Sequence, residues 1–193
     1  PAMITGGDEL LEWWKGYRPD WPLPEYPPEY QSGLGDEGKE KIKEWVQKGG
    51  RLVCLGDASM YGVQALDLNV ANAMEGLSPK EFHCPGSTLH TLFDGEKPVA
   101  YGMPEDALAL FWNSPAFKIL PNPDNEKYSV VATYPDADLL ESGWLIGEEK
   151  LANKIAILTA ESGEGDAVLI GFRCQNRCQT HGTFKLLFNS LLG

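Results

Sequence analysis

The stretch that most restricts the fold of this chain runs from residue 36 to residue 59. Asp36 and Glu37 begin an acidic helix start, Ile42, Trp45 and Val46 recur at helical spacing, and Gly49-Gly50 stop the pattern. Lys39, Lys41, Lys43 and Lys48 take the positions left for water. Immediately afterwards, Leu52, Val53, Cys54 and Leu55 form an apolar run of strand length, bounded by Gly56. A helix that feeds straight into a buried strand is the repeating piece of a parallel sheet, so the class is α/β.

The middle of the chain has a different texture. The segments 86–94, 107–120 and 128–135 read as strands separated by Gly/Pro turns, a β-rich section. Residues 154–172 are two apolar runs joined by Glu161-Ser162-Gly163-Glu164-Gly165-Asp166, a hairpin whose glycines supply positive φ. The last segment starts at Thr180, a candidate N-cap. Phe184, Leu187, Phe188, Leu191 and Leu192 then form an apolar stripe expected to dock on the sheet. With 193 residues the chain suits one domain. Residues 1–35 comprise a strand end at Met3–Gly7, a short helix or turn at 8–14, and an ordered proline-rich loop carrying Trp21, Tyr26 and Tyr30. Residues 36–193 are the α/β domain. "MITGG" reads as the end of a strand whose first residues lie upstream.

Sixteen Lys and Arg against 28 Asp and Glu leave a net charge of −12, which repels phosphate backbones and anionic lipid. Nucleic acid and membranes are therefore not expected partners, and no apolar run is long enough for a bilayer. Four cysteines do not decide the redox compartment, and no leader is legible.

The turn after the 51–55 strand has the outline of a nucleophile mount. That device needs Ser, Cys or Asp at its apex between small residues. Asp57 and Ser59 are the candidates, although the second glycine is missing and Cys54 falls too early. The competing reading makes either residue a cap for the following helix. Of three histidines, His83 lies in a turn, His90 alternates within a strand, and His181 follows the last strand as a candidate base or a packing residue. Cys174, Cys178 and His181 have a spacing compatible with metal, but His83-Cys84 makes a poor second half. A Cys174–Cys178 disulfide is the alternative. Glu148-Glu149 reads as an acid/base pair or a solvated helix start. Trp13, Trp14, Trp21 and Trp144 are candidate stacking platforms. The sequence has neither H-E-x-x-H nor a phosphate-binding glycine loop.

Several long phrases carry a resemblance: "PPEYQSGLGDEGKEKIKEWVQKGGRLVCLGDAS", "FHCPGSTLHTLFDGEKPVAYGMPEDALALFWNSPAFKI", "SGWLIGEEKLANKIAIL" and "GDAVLIGFRCQNRCQTHGTFKLLFNSLL". Together they resemble the C-terminal region of large zinc carboxypeptidase-like proteins, where a class I glutamine amidotransferase-like domain follows the peptidase domain. The resemblance implies a flavodoxin-like three-layer sandwich, here N-terminally truncated. A related arrangement is the trimerisation domain of family 42 β-galactosidases, which lacks the active site. The family's nucleophilic Cys falls within Gly56–Ser59, where none stands, and its His-Pro-Glu is replaced by Arg173-Cys174-Gln175. Gly6-Gly7 resemble the strand-end glycines of an oxyanion hole.

The resemblance thus implies no cofactor in this chain, zinc only in the parent's peptidase domain, and an exported parent. It implies the upstream peptidase domain, or further copies of the chain, as partners. The expectation is a non-catalytic accessory domain serving packing, oligomerisation or substrate recruitment. The alternatives are a divergent hydrolase using Ser59 or Asp57 with His181, and a carbohydrate- or peptide-binding module.

Overall fold

The computed structural model describes residues 4, 6–20, 22, 27 and 33–192. In chain order these form α1 (Gly7–Tyr17), α2 (Gly35–Gln47), β1 (Arg51–Leu55), α3 (Ala58–Ala65), β2 (Val70–Asn72), β3 (Pro85–Phe93), β4 (Asp106–Trp112) and β5 (Phe117–Ile119). There follow β6 (Tyr128–Thr133), β7 (Leu140–Ser142), α4 (Glu148–Leu151), β8 (Ile155–Ser162), β9 (Gly165–Ile170) and α5 (Phe184–Leu192). Short 3-10 turns at Pro98–Ala100, Asn125–Lys127, Asn176–Cys178 and His181–Thr183 link them. Trp21, Tyr26 and Tyr30 lie outside the described residues. Of the strand end expected at Met3–Gly7, Ile4 is helical, Gly6 has φ 72° and Gly7 opens α1. Met3 and Thr5 also lie outside the described residues.

The molecule is a mixed α/β protein with one continuous sheet in the order β1-β9-β8-β6-β3-β4. The short strand β7 pairs with β3, and β5 joins β2 to β8. Only β1 and β9 run parallel among the described strands; every other pairing is antiparallel. The expected hairpin is present, with Gly163 at φ 65° in its turn. The 107–120 run splits in two. β4 pairs with β3, whereas β5 crosses to β2 and β8, because Asn113 at φ 45° and the Ser114-Pro115 bend turn the chain out of β4.

Alternation in β1 and β9 sorts side chains to two cores. Cys54, Ala167 and Leu169 meet Val46 of α2 and Val63 of α3 on one face. Val53, Leu55, Val168 and Ile170 meet Leu186 of α5 on the other. Each fully buried Leu or Ile contributes about 1.5–3 kcal/mol to this packing. In α2, Val46 is buried and Ile42 packs beside it, but Trp45 turns outward and lies over Gly50.

The closing helix is rolled away from the expected stripe. Leu186 and Ser190 are its buried side chains, whereas Phe188, Leu191 and Leu192 are 59, 65 and 87% exposed. Polar contacts set the roll. Asn189 Nδ2 donates to the carbonyls of Val99 and Tyr101 at 3.0 and 2.9 Å, and Lys185 Nζ donates to Gly102 O at 2.7 Å. Thr180 does not cap α5 directly. It precedes the 181–183 turn, and its hydroxyl donates instead to Cys174 O at 2.8 Å.

Gly165 is where α2 meets the hairpin. A Cβ there would lie 2.2 Å from both Gly50 O and Val46 O. Gly165→Ala is expected to cost about 3 kcal/mol in urea unfolding, since backbone cannot yield as a side chain does. Gly182→Ala, with no atom near the new methyl, should stay within about 0.5 kcal/mol of the parent.

Candidate functional site

Parallel strands bring their carboxyl ends to the same edge, and in open α/β sheets ligands bind just beyond such ends. Here Leu55 lies beside Ile170, so residues 56–59 and 171–181 are placed together. Gly56 adopts φ 56°, a conformation that favours glycine, and its N–H donates to Ile170 O at 2.8 Å.

Ser59 is fully buried. Its hydroxyl lies 3.0 Å from Ile170 O and 3.2 Å from Cys54 O, so its proton is directed at the two strand ends. Asp57 occupies the N-cap position of α3 and is exposed, but its side chain makes no capping bond. The structure therefore gives neither residue the side-chain capping role read from the sequence. Cys54 points into the core under Gly62, and burial pushes its thiol up to about 11.

On the β9 side, Phe172 and Cys174 are buried while Arg173 reaches solvent. Burial lifts the Cys174 thiol to about 11, and its carbonyl accepts the hydroxyls of Thr180 and Thr183 at 2.8 and 2.7 Å. The loop then passes through Arg177 and Cys178 at φ 49° and 55°, left-handed values uncommon for such residues. Cys178 is exposed, and all four cysteines are free thiols. His181 Nε2 donates to the Cys178 carbonyl at 2.8 Å, which assigns its proton to that nitrogen, and its ring packs against Phe184. Among the described residues no group of His, Cys, Asp and Glu is arranged to hold a metal, Cys174, Cys178 and His181 included.

The pair that sequence reading missed is Arg173 with Trp112. The guanidinium sits 5.3 Å over the indole at the end of β4, and the Arg173 stem runs beside Gly56. No local spacing connects the two residues, so only the sheet brings them together. Trp144 is 61% exposed, with His83 edge-on to its ring at 5.4 Å. Its backbone N–H donates to Ser87 Oγ, which donates in turn to the Trp144 carbonyl. Trp14 lies on α1 beside Tyr17. The Trp13 side chain and Trp21 lie outside what the structure describes. Gly6, the expected oxyanion glycine, is buried. Glu148 is tied to the Leu139 N–H, and Glu149 is exposed at the start of α4.

His90 lies on the outer face of the sheet. Its Nδ1 is 3.0 Å from both oxygens of Asp106 on β4, and its Nε2 is 3.2 Å from Glu141 on β7. The hydrogen bond to Asp106 raises its pKa above 6.5, against some loss of hydration, and Glu141 adds to the rise.

No protein-family profile matches the sequence, and no curated protein does. Similar folds occur among solved structures. A cytoplasmic protein of Salmonella typhimurium matches with TM-score 0.52 at 16% identity, over 98% of this chain and 68% of its own. A second cytoplasmic protein, from Salmonella typhimurium LT2, matches with TM-score 0.50 at 12% identity, also over 98% and 68%. A ThuA-like protein of Bacteroides uniformis gives TM-score 0.46 at 15% identity, over 83% of this chain and 64% of that one. The two Salmonella likenesses show a shared α/β fold.

Two measurements check this geometry. With a thiol reagent the native chain should expose one fast-reacting group, Cys178, and release the remainder only on unfolding. Protonated His90 holds β4 and β7 together, so its contribution is complete below the ordinary 6.5 and is lost as pH rises through the raised value. The melting temperature should fall over that interval, and His90→Gln should flatten the fall.

Proposed function

We propose that this chain is a non-catalytic accessory module with a class I glutamine amidotransferase-like, flavodoxin-like three-layer fold. Placement of α2 and α3 on one face of the β1–β9 pair, and of α5 on the other, supports the layered reading. Assignment of the parent as a zinc carboxypeptidase-like protein rests on the sequence phrases alone. In that reading zinc belongs to the parent's peptidase domain.

The observation that carries the proposal is the fate of the turn after β1. A working nucleophile must face substrate and be within hydrogen-bond reach of a base. Ser59, the only hydroxyl there, is buried and spends its proton on two backbone carbonyls. Cys54 and Cys174 are sealed in the core with thiols held protonated. His181 is turned to its own loop. The divergent-hydrolase reading with Ser59 has no accessible oxygen to work with.

A carbohydrate- or peptide-binding role draws on a separate observation, the exposed indoles of Trp144 and Trp112, the latter beneath Arg173. Such a surface offers stacking together with a charged donor.

The test is direct. Purified chain should show no hydrolysis of glutamine or activated esters above buffer, and Asp57→Ala should change nothing. Turnover abolished by Asp57→Ala or Ser59→Ala, with the fold intact, overturns the proposal. Ser59→Ala should instead cost about 1–2 kcal/mol of stability, from the lost bonds to the strand ends. Quenching of tryptophan fluorescence by oligosaccharides or peptides, removed by Trp144→Ala, would favour the binding role.

A further inference from the structure

We infer that the crevice at the carboxyl ends of β1 and β9 binds a small carboxylate with a flat apolar body, the carboxylate on the Arg173 guanidinium and the body against Trp112. The inference rests on the binding role of these two residues and deepens it by naming the ligand class.

The course of the chain makes the crevice. β1 leaves into α3, which packs with Cys54, Ala167 and Leu169 on one face of the sheet. β9 leaves through residues 171–183 into α5, whose Leu186 packs with Val53 and Val168 on the other. Adjacent parallel strands whose connections part to opposite faces leave a gap at their carboxyl ends, and ligands of open α/β sheets bind there. Arg173 crosses that gap: its Cγ lies 3.8 Å from the point where a Cβ on Gly56 would stand. The guanidinium then reaches Trp112 at the end of β4, 5.3 Å over its ring.

Both residues are held in place before any ligand arrives. Phe172 and Cys174, on either side of Arg173, are fully buried. A Cβ on Gly171 would stand 2.3 Å from Pro115 O, so the chain leaving β9 is pressed against the chain leaving β4. The Trp112 N–H donates to Ser114 Oγ at 3.1 Å, and the indole lies against Gly86 of β3. Groups ordered in advance spare a small ligand the entropy of ordering them.

Charge selects the ligand. All 28 Asp and Glu stand at or before position 166, whereas residues 167–193 carry Arg173, Arg177 and Lys185. Arg51 has its carboxylate in Asp166, and Lys185 its carbonyl in Gly102. Arg173 has neither: among the described residues nothing accepts its N–H groups, and contact with the indole consumes none of them. A guanidinium fork matches a planar carboxylate through two parallel hydrogen bonds. One cation, with Asp57 exposed at the same edge, suits a single negative charge and opposes a phosphate dianion. Trp112, 39% exposed, offers the body of the ligand a flat apolar surface beside the fork.

Sodium benzoate is the probe, read by calorimetry and by tryptophan fluorescence on the 193-residue chain. It should bind with a Kd of about 1 mM. Arg173→Gln should weaken binding about tenfold, and Arg173→Lys, which keeps the charge and loses the fork, about fivefold. Trp112→Leu should weaken it about fivefold as well. Lys48→Gln, at the opposite end of β1, should leave it unchanged. Benzamide, the same ring without the charge, should give no response. No response to benzoate at tens of millimolar overturns the inference, as does undiminished binding by Arg173→Gln with an unchanged far-UV spectrum. Benzamide or inorganic phosphate binding as tightly as benzoate overturns the ligand class. A chain that answers uncharged oligosaccharides through Trp144 but not benzoate keeps the binding role and overturns this inference alone, whereas silence to every probe overturns both.

Discussion

The parallel pairing of β1 with β9 is the constraint on which the rest of the structure depends. It joins segments separated by more than half the chain, and helices pack on the two strands from either face. Each end of the pair is fastened by a different device. At the amino end, Arg51 and Asp166 form a bidentate ion pair across the register, and Gly165 lets backbone approach backbone. At the carboxyl end, the Ser59 hydroxyl lies between the carbonyls of Cys54 on β1 and Ile170 on β9. The ion pair is part-buried and bidentate, and the apolar residues buried along the two strands add the larger share.

The same fastening sets how the turn after β1 departs from the nucleophile mount that its sequence outlines. A nucleophile mount lifts its side chain clear of the sheet end. Here the chain turns at Gly56 and draws Ser59 inward, where the carbonyls of Cys54 and Ile170 accept its proton. Stabilising the strand ends and presenting a reactive hydroxyl are incompatible uses of one oxygen. Arg173, supported on Trp112, and Asp57 both reach solvent at this edge. A planar cation on an indole offers a charged donor beside a flat apolar face.

Much of the architecture was legible because it follows local periodicity. The helix at 35–47, the strand at 51–55 and the hairpin at 155–170 all lie where apolar spacing and glycines place them. The reading weakened where polar contacts overrode hydrophobic pattern. The apolar stripe of the last helix suggested the face that docks, yet Asn189 and Lys185 bind carbonyls of the 99–102 turn and roll that stripe outward. Trp45 matched the apolar spacing of its helix and still lies outside, covering Gly50 where the chain enters β1. The run at 107–120 reads as continuous β sequence, and the bend at Asn113 to Pro115 sends its halves to different partners. His90 alternates as an outer strand residue should, but its two carboxylate partners come from distant strands and left no local trace.

By itself, the sequence determined the α/β class, the acidic surface, the principal helices and strands, and the lack of a cysteine at the turn after β1, because each is written in residue type and short spacing. Tertiary structure alone decided which way Ser59 points, which face of the last helix meets water, and that Arg173 rests on Trp112. Those outcomes depend on carbonyls and rings contributed by segments far apart in the chain. A side chain's hydrogen-bond partners are chosen by the packed sheet, and no pattern within a helix or a strand encodes them.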